Sequence, residues 1–396
     1  MTEPAARPLK IFLIAGEPSG DALGAALMAE LTALAPGVSY SGIGGPGMAG
    51  QGLSSRFPME ELSLMGLAEI LPKYFALKAR IRETAAAVVA ERPDLLLTID
   101  APEFSLRVAK LVRAAAPAIP ITHYVAPSVW AWRPGRAAKM AGHVDHVLAL
   151  LPFEPPLMEE AGMAADFVGH PVVTNRLATE AEATSFRERH GIGAAPLILA
   201  LPGSRRGEVS RLMGRFGATL QRVRGVRPEA KVVLPMAAPV AGLVRDELAA
   251  WPFEPIVIDP AGDPSGTEKA AAFRAADLAL AASGTVSLEL AANDTPMVIG
   301  YDMAWTSRQI IGRMLRTDTV TLVNLVSNTR AVPEFIGGNC DPDLMADALL
   351  TVLEAPGAQR AAMALTMERL GAGGPPPGRR AAEAVLARIT PPLARP

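Results

Sequence analysis

The sequence predicts an α/β protein made of two doubly wound, Rossmann-like lobes facing a cleft. Three observations carry this. Strand-length apolar runs alternate with helical stretches almost throughout the 396 residues, and those runs are nearly continuous rather than alternating. Strands buried on both faces read this way, as in a parallel sheet covered by helices. In each half, moreover, a short polar turn sits where an apolar run hands over to a helix.

The first of these turns is Gly16–Asp21 (GEPSGD), between KIFLIA and ALGAALMAEL. The runs that follow are Asp94–Ile99, Pro120–Val125 and HVLALL at His146–Leu151, then Leu197–Leu201. KVVL, PIVI, LALA and Pro296–Tyr301 complete the series, with the second turn, Ser283–Glu289 (SGTVSLE), after LALA. A seam is expected near Phe167–Val173, ahead of the polar helix TEAEATSFRERHG. The lobes are therefore drawn as residues 1–170 and 171–370. Gly371–Arg380 reads as a linker, and a last helix within 379–390 is expected to complete the first lobe.

Composition narrows the class. Half the residues are apolar, a fifth are charged and the net charge is −2, which argues against a general nucleic-acid binder. A single cysteine, Cys340, cannot form an internal disulfide and fits a reducing compartment. The N-terminus lacks a signal-peptide layout, and no apolar run approaches the roughly 18 residues of a membrane span. A soluble or peripheral protein is expected.

In an open α/β sheet, ligands gather beyond the carboxyl ends of the strands. Asp100 in LLLTIDAPEF stands at such an end, where a carboxylate can take a proton from a substrate hydroxyl. Its bland alternative is a turn residue beside Pro102. Glu103 starts a helix, where the dipole alone favours an acid. In the first turn, Glu17, Ser19 and Asp21 are candidates for orienting a polar substrate, with Asp21 alternatively a helix cap.

In the second half, PGSRRGEV (Pro202–Val209) follows a strand. Gly203 permits close backbone approach, and Arg205 or Arg206 can clamp a pyrophosphate. Ser283, Gly284 and Thr285 open a helix, whose N-terminus favours anions. Glu289, one turn on, can accept hydrogen bonds from a ribose. Together they predict a nucleoside-diphosphate site.

Two motifs are discounted. Gly42, Gly44 and Gly47 make a GxGxxG, but it does not follow the first strand and contains Pro46, so a nicotinamide cofactor is not expected. Asp341 and Asp343 make a DxD, which reads as a helix cap with Pro342 at the first helical position. No cofactor and no metal site are predicted. Leu67, Ile70, Leu71, Tyr74 and Phe75 recur at helical spacing among Lys73, Lys78, Arg80 and Arg82. Such a basic amphipathic segment suits an anionic membrane surface. The alternative is core packing, with Pro72 expected to kink or interrupt the helix.

Assembled in order, AGEPSGD, GIGGPGM, LSLMGLAEIL, IDAPEF, YVAPSVWAWRPGR, LALLPFE, FVGHP, LPGSRRGEV, SGTVSLELA and NLVSNTRAVPEFI closely resemble the lipid-A-disaccharide synthase family over nearly the whole chain. Glu103 and Ser105 stand where that family more usually has Asp and Asn. The resemblance implies a GT-B glycosyltransferase joining UDP-2,3-diacylglucosamine to 2,3-diacylglucosamine 1-phosphate (lipid X), with UDP released, in lipopolysaccharide assembly at the cytoplasmic side of the inner membrane. It implies that Asp100 is the base, that Glu17 and Ser19 face the acceptor, and that Arg205, Ser283, Gly284, Thr285, Glu289 and Asn324 form the UDP end. It also turns the Leu67–Phe75 stripe towards membrane docking. Oligomeric state is left open. The rival readings are a UDP-N-acetylglucosamine epimerase on the same fold, an NAD-dependent oxidoreductase and a non-catalytic nucleotide-sugar sensor.

Overall fold

The structure is a computed structural model that describes residues 8–62, 70–131, 135–303 and 317–389. The chain divides into two compact units: Met1–Pro171 with Gly373–Pro396, and Val172–Ala372.

Among the described residues each unit carries one six-stranded, all-parallel sheet. The first contains β1 (Lys10–Ala15), β2 (Ser39–Ile43), β3 (Leu95–Ile99), β4 (Ile121–Tyr124), β5 (His146–Ala149) and β6 (Ala164–Phe167). Their order across the sheet is β2-β1-β3-β4-β5-β6. The second contains β7 (Leu197–Leu201), β8 (Lys231–Pro235), β9 (Ile256–Ile258), β10 (Leu278–Ala281), β11 (Met297–Tyr301) and β12 (Glu334–Ile336), ordered β12-β11-β10-β7-β8-β9.

The apolar runs form central strands because both faces of each sheet are covered. On β1, Phe12 and Ile14 join one core while Ile11, Leu13 and Ala15 join the other, as the two-residue period of a strand requires. In the second unit a core gathers Ile198, Ala200, Leu278, Leu280 and Val298 beneath the helix Arg206–Val226.

The helix after the predicted linker starts earlier than expected, at Pro377, and runs to Ile389. Proline tolerates the first turn, where an N–H would lack a partner anyway. This helix lies on Pro18–Leu34, sharing a core through Ala381, Ala382 and Val385. A Cβ on Gly378 would stand 2.9 Å from the Ala26 carbonyl oxygen, so the close crossing needs glycine there.

Both sheets reverse direction once. In the first, β1 leads outward to β2 and β3 leads the other way to β4, so the switch point lies between β1 and β3. In the second it lies between β7 and β10. At such a point the outgoing loops diverge and leave a crevice at the carboxyl edge.

Candidate functional site

Asp100 is the first residue after β3, at the switch point of the first sheet. Its N–H donates to the Tyr124 carbonyl at 2.9 Å, tying the end of β3 to the end of β4. Asp100 and Ala101 both adopt left-handed backbone, with φ of 49° and 44°. Non-glycine residues enter that region at a cost, and such strain gathers at functional sites. The carboxyl is half-buried. Desolvation raises its pKa above the ordinary aspartate value, partly opposed by the Ala101 N–H. A raised pKa makes it a stronger proton acceptor once ionised. Glu103, by contrast, is exposed and paired with Arg107 at 2.7 Å, one turn along the surface.

The Gly16–Asp21 turn abuts this point: a Cβ on Gly16 would stand 2.8 Å from the Ala101 Cβ. Glu17 occupies the N-cap of the helix Pro18–Leu34, and Ser19 is exposed in its first turn. Asp21 does neither of the things its sequence position suggests. It is buried, and its carboxylate accepts the N–H groups of Gly45 (2.8 Å), Gly47 (2.8 Å) and Met48 (2.9 Å). These are the amides that a dinucleotide-binding GxGxxG would offer to a pyrophosphate. An internal carboxylate already holds them.

At the switch point of the second sheet lies a cavity of roughly 390 Å³. It brings together Arg205, Ser283, Gly284, Thr285 and Glu289, residues spread over 85 positions of sequence (205 to 289). The loop after β7 turns through Gly203 at φ 110°, where a Cβ would meet the Glu208 carboxylate at 2.5 Å. Glu208 folds back to accept the N–H groups of Ser204 (3.1 Å) and Arg205 (3.3 Å). Those amides are therefore occupied, and the Arg205 guanidinium, 83 % exposed at the rim, stands 3.4 Å from the Glu208 carboxylate. The loop after β10 turns through Gly284 at φ 151° into the short helix Val286–Ala292. Glu289 pairs with Lys269 at 3.0 Å on the same wall. Neither Glu208 nor Lys269 stood out in the sequence, because a helical Glu and an isolated Lys carry no local signature.

Asn324 lies behind the cavity and can shape it only indirectly. It is 0 % exposed and does not line the cavity. Its Nδ2 donates to the Val332 carbonyl (2.9 Å) and Thr319 Oγ1 (3.3 Å), and its Oδ1 accepts the Val332 N–H at 3.0 Å. With its amide used internally, it holds the 319–332 segment in place. Glu334 helps from the next strand, accepting the N–H groups of Val320 and Thr321 at 3.0 and 2.6 Å.

Asp341 caps the helix Pro342–Glu354, accepting the N–H groups of Asp343 and Leu344, and Asp343 pairs with Arg222. The DxD is thus a cap, as its spacing predicts. Among the described residues no three His, Cys, Asp or Glu side chains cluster as a metal site.

Of the apolar stripe, Leu67 lies outside the described residues. Ile70, Leu71, Tyr74 and Phe75 fall in the helix Ile70–Glu91. Pro72 does not interrupt that helix, which is continuous over Ile70–Glu91. Phe75 is 73 % exposed, whereas Leu77 and Ile81 turn into the core. Among the described residues no helix is long and apolar enough to cross a membrane.

A profile of the family described as Lipid-A-disaccharide synthetase matches residues 11–383. The chain belongs to the lipid-A-disaccharide synthase family. It is 61 % identical over 388 residues to the lipid-A-disaccharide synthase of Ruegeria pomeroyi, covering 97 % of this chain and 96 % of that one. The synthase of Rhodospirillum centenum is 47 % identical over 389 residues, again covering 97 % and 96 %. As a member of this family the protein is an enzyme, a glycosyltransferase of lipid A biosynthesis. Among solved structures, a UDP-N-acetylglucosamine 2-epimerase from Neisseria meningitidis bound to UDP-GlcNAc superposes with a TM-score of 0.60 at 12 % identity, covering 96 % of this chain and 98 % of that one. The glycotransferase of kitacinnamycin gives 0.60 at 16 % identity, covering 98 % and 100 %. At such identities the likeness speaks for the fold alone, which is GT-B.

Proposed function

We propose that this synthase transfers the sugar of UDP-2,3-diacylglucosamine to lipid X with inversion, the first unit taking the acceptor and the second the donor. The acceptor's 6-hydroxyl oxygen attacks the anomeric carbon, the bond from that carbon to the β-phosphate oxygen breaks, and UDP leaves. Asp100 takes the hydroxyl proton. The product is the β-1′,6-linked disaccharide 1-phosphate.

The observation that carries this reading is that each unit has a switch point with its own chemistry. One holds a half-buried carboxylate whose pKa is raised, and the other a cavity with an arginine at its rim. Inverting displacement needs one base and charge stabilisation of the leaving group, and no second carboxylate is required. Arg205 and the Ser283–Thr285 turn meet the pyrophosphate, and Glu289 the ribose. Glu17 and Ser19 border the acceptor beside Asp100. The bound nucleotide sugar of the Neisseria epimerase supports a UDP-sugar on this fold without choosing the chemistry.

Because both substrates carry acyl chains, we also assign the Leu67–Phe75 stripe to docking at the cytoplasmic face of the inner membrane, with Phe75 already exposed. Replacing Leu67, Ile70 and Leu71 with Ser should release the protein from anionic liposomes; unchanged binding returns the stripe to the core.

The decisive assay mixes purified protein, UDP-diacylglucosamine and lipid X in EDTA and follows product by mass spectrometry. Disaccharide formed in EDTA and lost in Asp100→Asn supports both the reaction and the base. Folded, UDP-binding protein that makes none overturns the substrate assignment.

A further inference from the structure

The loops leaving β4 and β5 contain a hydrogen-bonded pair, half-buried Trp130 and buried Glu154, that the reaction above leaves without a task. Glu154 is buried at the start of the helix Pro155–Glu160. Its Oε2 accepts the Leu151 N–H at 3.0 Å and its Oε1 the Trp130 indole N–H at 3.2 Å. The Trp130 ring also stands edge-on to Phe153, centroids 5.5 Å apart and planes at 87°. Burial pushes the Glu154 carboxyl up to about 7, against the pull of its N–H donors. A carboxyl so desolvated is a costly way to fill space, since an apolar side chain would pack there without the penalty. Its use is to fix something in place.

What it fixes is the turn between β4 and Trp130. That turn opens on Val125 at φ 83°, the one β-branched residue among the described non-glycine residues with positive φ. A β-branched side chain in this region is a genuine outlier. The Val125 N–H donates to the Leu148 carbonyl at 3.0 Å, and the preceding residue, Tyr124, supplies the carbonyl that accepts the Asp100 N–H. The strained turn thus starts one residue from the group that holds Asp100. Ala126 and Val129 bury themselves within it, and Trp130 pins its far end to the loop after β5. Three neighbouring strand ends are locked to one another at the carboxyl edge of the first sheet.

We propose that Trp130 and Glu154 are positioning residues of the synthase: their hydrogen bond holds the Ala126–Ala131 turn as a fixed wall beside Asp100, against which the acceptor hydroxyl is aligned. This rests on the reading of Asp100 as the base and of lipid X as the acceptor. A hydroxyl has to lie within hydrogen-bond reach of its base, and a displacement of about 1 Å can cost on the order of a hundredfold in rate.

The test compares wild type, Trp130→Phe and Glu154→Gln. Phenylalanine keeps the ring against Phe153 and removes only the indole N–H. Glutamine keeps one acceptor oxygen for the indole and turns an NH2 towards Leu151. In Trp130→Phe, kcat/KM for lipid X should fall by roughly tenfold or more, with the donor KM, the UDP Kd and Tm close to wild type. Glu154→Gln should show the same pattern, with donor KM and UDP Kd unchanged, smaller in size because an acceptor remains for the indole. Unchanged acceptor kcat/KM in Trp130→Phe overturns the proposal. So does a raised donor KM and UDP Kd accompanied by a lowered Tm in both variants, which would mark a purely structural pair. Wild-type protein that makes no disaccharide from these substrates removes the functional reading itself, a failure visible before any variant is measured.

Discussion

At the switch point of the first sheet the left-handed residues are Asp100, Ala101 and, one strand over, Val125; at that of the second sheet they are Gly203 and Gly284. Glycine enters this region freely, so the second crevice is built without strain and its loops can approach a pyrophosphate closely. The first is built with residues that resist the conformation, at about 1–2 kcal/mol each. Strain of that kind persists only where the surroundings over-determine it. Here the Asp100 N–H bond to Tyr124 and the Val125 N–H bond to Leu148 do so. The difference matches the two chemical tasks assigned to the units. A leaving group with many oxygens needs room and donors, whereas a base needs one carboxylate held at one place.

Changing the carboxylate tests the strained side with the largest expected effect. Asp100→Asn should lower kcat by about 10²–10⁴ while the protein still folds and binds UDP. Because burial raises the Asp100 pKa, wild-type kcat should fall on acidification through a pH above the ordinary aspartate value of 3.8, as the base takes up its proton. Normal turnover by folded Asp100→Asn would remove the base from this side and leave the strain without a purpose.

On the open side, Arg205→Ala should reduce donor kcat/KM by roughly 10- to 100-fold, the worth of one or two charge-assisted bonds, and leave the acceptor KM unchanged. An effect on the acceptor instead would reverse the assignment of the two units. Gly203→Ala should be milder in rate and visible in stability. Its Cβ would meet Glu208 at 2.5 Å at a φ of 110°, so unfolding should become easier by about 1–3 kcal/mol. A variant as stable as wild type would show that the loop can re-form without its glycine.

Most central strands were legible because burial on both faces leaves continuous apolar runs. The strands those runs miss, β2, β6 and β12, all lie at sheet edges, where SYSGI, AADF and EFI are only partly buried and no such run is needed. The candidate site was legible where a residue is marked by its place at a strand end, as Asp100, Arg205 and Ser283–Thr285 are. It was illegible wherever a side chain acts across sequence. Asp21 reaches 24 residues ahead to the Gly45 N–H, and Trp130 reaches Glu154 over the same separation. Asn324 shows the opposite case: an amide within a polar motif looks available until its partners are seen to lie within its own segment.

The smallest expected effect separates strain from position most directly. Ala101→Gly leaves Asp100 chemically intact and removes the penalty at φ 44°. The relief of about 1–2 kcal/mol is offset by about 0.5–1 kcal/mol of added backbone freedom in the unfolded chain, so Tm should rise by roughly 2 °C. If the strained backbone aims the carboxylate, kcat should nevertheless fall several-fold, since the residue beside it now samples more conformations. A variant that gains stability and keeps full kcat would mean that the left-handed turn is an accident of the β3 exit. A variant that loses kcat while gaining stability would identify Ala101 as the point where the first unit gives up stability to hold its base.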